Sequence, residues 1–231
     1  IEDDIMIIIE RGLELMEDNN SSNDKIKSLE VEVDGLLAQL KTTICKSKTN
    51  SSVQIQRMEE GIKTLKWSVK KYKLRFNGEP EVVKKNEIFY CNLGFNIGSE
   101  QGDSISGDKR PVLILQNDKG NSSSKTTIIA PITTHQEAIK EKKIIRDGNE
   151  VIIYTVKQIV KGIEKEKTLG YYEVPVRLEP GYSKEIIGVI NLAQIRTISK
   201  KRLEKKPVAK INDKSVKEIN NAMKRLLNME D

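Results

Sequence analysis

Residues 87–134 read EIFYCNLGFNIGSEQGDSISGDKRPVLILQNDKGNSSSKTTIIAPITT, and the fold turns on this stretch. Its β-branched and aromatic residues gather into short runs, Glu87–Leu93, Pro111–Gln116 and Thr126–Ile132, set apart by clusters of Gly, Asn, Asp and Ser. Apolar runs of this length between turn residues predict strands. The same texture recurs downstream in Val151–Val156, Tyr172–Leu178, Ile186–Ile190 and Gln194–Ile198. Strands this short and this numerous imply a compact barrel. From Asp213, expected as the N-cap, the positions Val216, Ile219, Met223, Leu226 and Leu227 predict a final helix lying across that barrel.

Upstream the pattern changes. Residues 1–76 lack proline, and apolar residues return every three or four positions, which predicts helices. A first face carries Ile5, Ile9, Leu13 and Met16 among many acidic residues. Ile26, Leu29, Val33, Leu36 and Leu40 mark a second, and Ile55, Met58, Ile62, Leu65, Val69 and Tyr72 a third, with the polar stretch 46–52 between them. The last two predict an antiparallel helical hairpin whose stripes are a packing seam, with Trp67 and Tyr72 packed at its base. The division expected is therefore a helical segment, 1–80, and a barrel domain, 81–231.

Composition narrows the function only slightly. The 231 residues carry 40 Lys and Arg against 34 acidic residues, a net charge of +6 that suits a polyanionic partner and equally a soluble, Lys-rich surface. The two cysteines, Cys45 and Cys91, have neither disulfide-framework nor metal-ligand spacing, which fits a reducing cytoplasm. No apolar run approaches the roughly 20 residues that span a bilayer, so no membrane association is expected.

Several residues in the opening stretch can carry chemistry, and each also has an ordinary structural use. Gly98–Gly102 suits a hairpin tip, yet Ser99, Glu100 and Gln101 also offer the groups that read base edges of unpaired RNA. Pro111 biases Arg110 towards an extended conformation at a strand start, and the planar fork of Arg110 suits a phosphate. Thr133 and Thr134 are ordinary strand residues whose hydroxyls can also donate to phosphate oxygen. His135 is the only histidine, which excludes a two-histidine acid–base pair within one subunit. An isolated His after a strand is commonly incidental, but its position beside Thr133 and Thr134 keeps it among the RNA-binding candidates.

Taken in order, Glu87–Leu93, Gly98–Gly102, Arg110–Asp118, Gly120–Asn121, Thr127–Thr133 and Gln194–Ile198 resemble the MazF/PemK/Kid family of mRNA interferases, the toxins of type II toxin–antitoxin systems. The resemblance covers about 86–136 and 171–229. It implies an α+β fold: a small SH3-like (CcdB/MazF-type) β-barrel with a C-terminal helix, here preceded by the N-terminal α-helical hairpin. It further implies a cytoplasmic homodimer that cuts single-stranded mRNA without metal or other cofactor, leaving a 2′,3′-cyclic phosphate and a 5′-hydroxyl, and that is restrained by an acidic antitoxin. The family's catalytic Arg and Thr match Arg110 and Thr133, and its base-reading loop matches Ser99, Glu100 and Gln101. A rival reading is a non-catalytic CcdB-like toxin that binds DNA gyrase, because fold does not fix function.

The chain departs from the family pattern in three places. Residues 103–109 lengthen the link before Arg110, and 138–169 reads as an insertion containing one strand-like run within Lys-rich sequence, either a surface hairpin or an electrostatic extension of the RNA groove. The N-terminal helices lie outside the resemblance and are read as a dimerisation hairpin, a docking arm or an inhibitory segment. For the last, the acidic and apolar face of residues 1–18 predicts that deleting 1–80 raises ribonuclease activity.

Overall fold

The computed structural model describes residues 25, 27–45, 51–103, 109–135, 137, 139–146, 148–160, 163–182 and 186–229. The acidic face built on Ile5, Ile9, Leu13 and Met16, most of the polar stretch 46–52, and the centre of the lengthened link, 104–108, lie outside them. The chain divides into two compact units, Ile1–Leu65 and Lys66–Asp231. Helix α1 occupies 27–45 and α2 Ser51–Leu74. The strands that follow are β1 (Glu87–Cys91), β2 (Arg110–Ile114), β3 (Thr126–Thr134), β4 (Lys140–Arg146), β5 (Asn149–Val160), β6 (Ile163–Thr168), β7 (Glu173–Pro175), β8 (Gly188–Asn191), β9 (Arg196–Ser199) and β10 (Ala209–Lys210). Helices α3 (Asp118–Ser123) and α4 (Asp213–Leu227) complete the set.

Seven strands form one antiparallel sheet in the order β10-β1-β2-β3-β8-β7, with β9 also on β3. Strand β3 carries two neighbours along one side. Its start, Thr126–Ile129, pairs β9, and its end, Ile132–Thr134, pairs β8. Pro131, which has no N–H to give, lies at the change of partner. Beyond β7 and β10 a Leu178–Ile211 bridge, with Glu179 N–H donating to Lys210 O at 2.8 Å and Asn212 N–H to Arg177 O at 2.8 Å, joins the two edges and curls the sheet.

Both faces of the central strands are buried. Ile88, Leu113, Ala130 and Ile132 pack with Ile190, Leu192 and the α4 residues Ile219 and Ala222, while Phe89, Cys91, Val112, Ile114 and Ile129 pack with Ile198, Leu203 and Val83. Burial on two sides explains why these strands read as continuous apolar runs rather than alternating ones. Helix α4 is held by Asn212, not by Asp213 as expected: the Asn212 side chain accepts from Ser215 N–H at 3.1 Å. A neutral amide one residue earlier does the capping.

Other sequence expectations also need correction. The Asn117–Asn121 segment, read as a turn, begins the short helix α3, capped by Asn117 Oδ1 accepting from Gly120 N–H at 2.7 Å. The Lys-rich flanks of the insertion, in which the sequence showed no strand, are strands β4 and β6, which sandwich β5 in a separate three-stranded sheet while their charges stay exposed. Lys and Glu disfavour strands individually; here they are linked by ion pairs that run diagonally between neighbouring strands, Lys143–Glu150 at 2.7 Å and Lys157–Glu164 at 2.5 Å, or over β5, Lys142–Glu166 at 2.7 Å. In the first unit α1 and α2 touch where a Cβ on Gly61 would lie 2.5 Å from Ile44. The expected seam is largely uncovered, with Leu29 50%, Val33 53%, Leu36 56% and Ile55 57% exposed. Spacing defines a face but not what covers it.

Candidate functional site

The lengthened link folds back onto the start of β2. Arg110 pairs with Cys91 of β1, and the β2–β3 register, continued two places beyond Val112–Pro131, sets Arg110 across from Thr133. The Arg110 guanidinium donates from Nη1 to Ile132 O at 3.3 Å and from Nε to Gly102 O at 2.5 Å. Thr133 Oγ1 accepts from Gln101 Nε2 at 2.9 Å. One loop therefore bridges the cation and the hydroxyl, which lie on the same side of the barrel.

That loop is held from below by residues the sequence reading quoted but gave no role. Gln194 Oε1 accepts from Gln101 N–H at 2.6 Å, and Gln194 Nε2 donates to Ser99 O at 2.9 Å. Arg196 Nη2 donates to Gln101 O, which also accepts from Asn96 Nδ2 at 2.9 Å. Asp103 closes the other end by accepting from the N–H groups of Leu93 and Gly94 at 2.7 and 3.0 Å, and by pairing with Lys70 at 3.4 Å. The signal for Gln194 and Arg196 was their place in the final sequence block; what hid them is that the loop they meet lies some ninety residues away in the chain.

Glycine is required at two positions in this fold-back. A Cβ on Gly102 would lie 2.2 Å from Gly94 O, so the two backbones approach closer than any side chain permits. Gly94 itself has φ +90°, and its Cβ would meet the Trp67 ring at 2.1 Å. Trp67 is thus packed against the barrel, under the guanidinium of Arg202 at 5.4 Å, and not at the base of the helical hairpin. Tyr72 is 62% exposed and meets Phe76 edge-on, contrary to its expected packing role. A helical stripe cannot tell which part of one long helix faces which neighbour.

The opening beside this loop, the mouth, holds the Arg110 and Arg196 guanidiniums with the Asp103 and Glu100 carboxylates acting on them. Arg110 and Arg196 both spend donors on neutral main-chain carbonyls. Burial pushes the Arg110 guanidinium below its usual value, with Asp103 opposing and Arg196 adding to the fall. Burial does the same to Arg196, opposed by Cys91, Glu100 and Asp103 and reinforced by Arg202. Among the described residues Arg196 Nε and Gln101 Oε1 are buried with no hydrogen-bond partner. A half-buried cation, and in Arg196 one with an unmet donor, favours a charged acceptor over a carbonyl, so the arrangement is chemically suited to an anion.

The remaining candidates sit differently. Ser99 and Glu100 are exposed on the loop, Glu100 near enough to Arg196 to act on it electrostatically. Thr134, also exposed, lies opposite Gly188 in β8 and points to the other face of β3 from Thr133. His135 donates its N–H to Ile187 O at 2.9 Å, and its ring lies by Lys167 and Glu173, beside the insertion. Gln101 is hydrogen-bonded to Thr133, and the neighbouring Gly102 accepts from Arg110; Thr134 and His135 lie alongside. Among the described residues no group of three or more His, Cys, Asp or Glu side chains is placed to hold a metal.

Residues 84–227 match the family described as PemK-like, MazF-like toxin of type II toxin–antitoxin system. Over 142 residues the chain is 30% identical to the endoribonuclease EndoA of Bacillus subtilis, covering 62% of this chain and 91% of that protein. It is 33% identical over 142 residues to the endoribonuclease MazF of Staphylococcus saprophyticus, covering 62% of this chain and 88% of that one. A crystal structure of MazF from Deinococcus radiodurans aligns with 64% of this chain and 97% of its own at 18% identity and a TM-score of 0.39.

Proposed function

The chain belongs to the PemK-like, MazF-like family of toxins of type II toxin–antitoxin systems, and from that premise we propose that it is an endoribonuclease that cuts single-stranded mRNA at short sequences. The observation that carries this reading is the convergence of Arg110 and Thr133 on one loop, where the Arg110 guanidinium donates to main-chain carbonyls and Thr133 accepts from Gln101. The named relatives are endoribonucleases.

The reaction proposed is an internal transfer. The ribose 2′-oxygen forms a bond to the adjacent phosphorus, the bond from phosphorus to the 5′-oxygen breaks, and the products are a 2′,3′-cyclic phosphate and a 5′-hydroxyl. One proton leaves the 2′-hydroxyl and one reaches the departing oxygen, so no water and no metal is consumed. Negative charge grows on the phosphoryl oxygens at the crowded intermediate stage. Arg110 and the Thr133 hydroxyl stabilise that charge once the scissile phosphate replaces Gly102 O and Gln101 as their partners. Ser99, Glu100 and Gln101, freed by the same exchange, read base edges, and Thr134 and His135 contact the strand alongside. Only RNA supplies the nucleophile.

In this reading the protein acts as a homodimer in the cytoplasm and is restrained by an acidic antitoxin, whose charge complements the net +6 of the toxin. The gyrase-binding reading gains nothing from the family match. The test is incubation with a long unstructured RNA in EDTA followed by sequencing of the ends. Discrete cuts with 5′-hydroxyl termini are expected, and Arg110→Ala should slow them by roughly 10²–10³-fold, the usual cost of removing one transition-state donor. Intact RNA would end the proposal.

A further inference from the structure

The end of α2 lies outside the family match, which begins at residue 84, yet it belongs to the same compact unit as the barrel. Between it and the turn that follows β9 is a cleft of about 280 Å³ lined by Lys71, Leu74, Arg75, Ser199, Lys201 and Arg202. Four of the six lining residues are cations and none is a carboxylate. Lys201 is partly satisfied, donating to Arg75 O at 2.6 Å at the carbonyl-rich end of the helix. Lys71 and Arg75 are exposed.

Beside these cations stand two exposed rings. Tyr72 is 62% and Phe76 74% exposed, and they meet edge-to-face at 5.3 Å. Exposed aromatics of this size normally seek cover, and rings interleaved with Lys and Arg are the combination that binds single-stranded nucleic acid: cations follow the backbone while bases stack. One lining residue also reaches the segment that the loop folds onto. Arg202, which lines the cleft, donates to Leu93 O at 3.3 Å, next to the Leu93 and Gly94 N–H groups that Asp103 holds. An acidic protein would use the cations but would leave the two rings unexplained.

We propose that the C-terminal end of α2 and the Lys200–Arg202 turn form a second subsite for single-stranded RNA, in which Lys71, Arg75 and Lys201 take backbone phosphates and the Tyr72–Phe76 pair stacks an unpaired base. This rests on the RNA-cleaving reading given above. It gives the appended helix a role in holding the strand beyond the scissile phosphate, so long RNA binds better than the mouth alone would allow.

The test measures binding separately from cleavage. In an Arg110→Ala background, fluorescence anisotropy compares unstructured RNAs of about 6 and about 24 nucleotides across a salt series, the longer exceeding the reach of a single ~4–16-nucleotide site. For the long RNA, Lys71→Gln with Arg75→Gln should reduce the slope of log affinity against log salt by about 1.4, at roughly 0.7 per phosphate contact on a single strand. Tyr72→Ala with Phe76→Ala should weaken the same RNA roughly tenfold, as loss of a stacking contact does. The short RNA should bind all variants alike. An unchanged slope and affinity on the long RNA would overturn the proposal, as would equal losses on both lengths. Loss of poly-glutamate binding with unaltered RNA binding would assign the cleft to an acidic protein instead. If the parent chain cuts no RNA, the cleavage reading fails on that assay alone, while the length-dependent binding still decides this one.

Discussion

A guanidinium donating to a carbonyl keeps its full charge, and that fact organises the mouth at the scale of single residues. Arg110 and Arg196 are oriented by their own loop without being neutralised, so an incoming phosphate exchanges a weak acceptor for a strong one. Two other residues give separable tests. Burial pushes the Cys91 thiol up to about 12, whereas Cys45 is exposed. Iodoacetamide at pH 8 should therefore label Cys45 and spare Cys91 until the barrel unfolds, as peptide mass spectrometry would show. His135 is held below its ordinary 6.5 by burial first, then by Lys167, with Glu173 opposing. The unfolded chain thus binds this proton more readily than the folded one. Its contribution to stability is complete above about pH 6.5 and is lost as pH falls through the lower folded value. His135→Gln should accordingly flatten the drop in the urea midpoint between pH 7 and pH 5; a drop equal to the parent's would show that His135 is not its source.

At the scale of elements, the insertion is a sheet joined to α4 by a small polar cluster. Tyr154 Oη donates to Glu218 Oε1 at 2.8 Å, Arg177 Nη1 donates to Glu218 Oε2 at 2.8 Å, and the Arg177 guanidinium lies 5.1 Å from the centre of the Tyr154 ring. Tyr154→Phe removes one hydrogen bond to a charged acceptor while keeping the ring under Arg177. A loss of about 1–2 kcal/mol is expected in urea unfolding. The exposed ion pairs of β4–β6 should matter less, roughly 0–1 kcal/mol each. This sheet shows why part of the fold was hard to read in the sequence. Strands β4 and β6 exist by pairing with β5 on either side, and a linear scan of Lys and Glu has no access to that pairing. Strands β1, β2 and β3 were legible because each buries its own apolar run.

At the scale of the molecule, the unit boundary at Leu65/Lys66 changes how the N-terminal segment should be tested. Trp67, Lys70 and Leu74 contact or pack within the barrel unit, so a cut at residue 80 would remove supports of the mouth along with the helices. Deleting 1–65 is the cleaner experiment. If the N-terminal helices act as an inhibitory segment, turnover on RNA should rise; unchanged turnover would leave dimerisation or docking as their role. The apolar stripes of α1 and α2 that stay exposed among the described residues make solubility a second readout, since large uncovered patches are uncommon on a monomer.

The sequence by itself determined the family, the barrel, the closing helix and the pairing of Arg110 with Thr133 as the residues to examine. It could do so because these depend on local signals: buried runs, turn residues, and motif blocks kept in order. Only the tertiary structure decided that Gln194 and Arg196 brace the loop over those two residues, that the end of α2 lies with the barrel, and that the Lys-rich insertion is a paired sheet. Each of these is a contact between residues far apart in the chain, and its energy belongs to a pair that no single position announces.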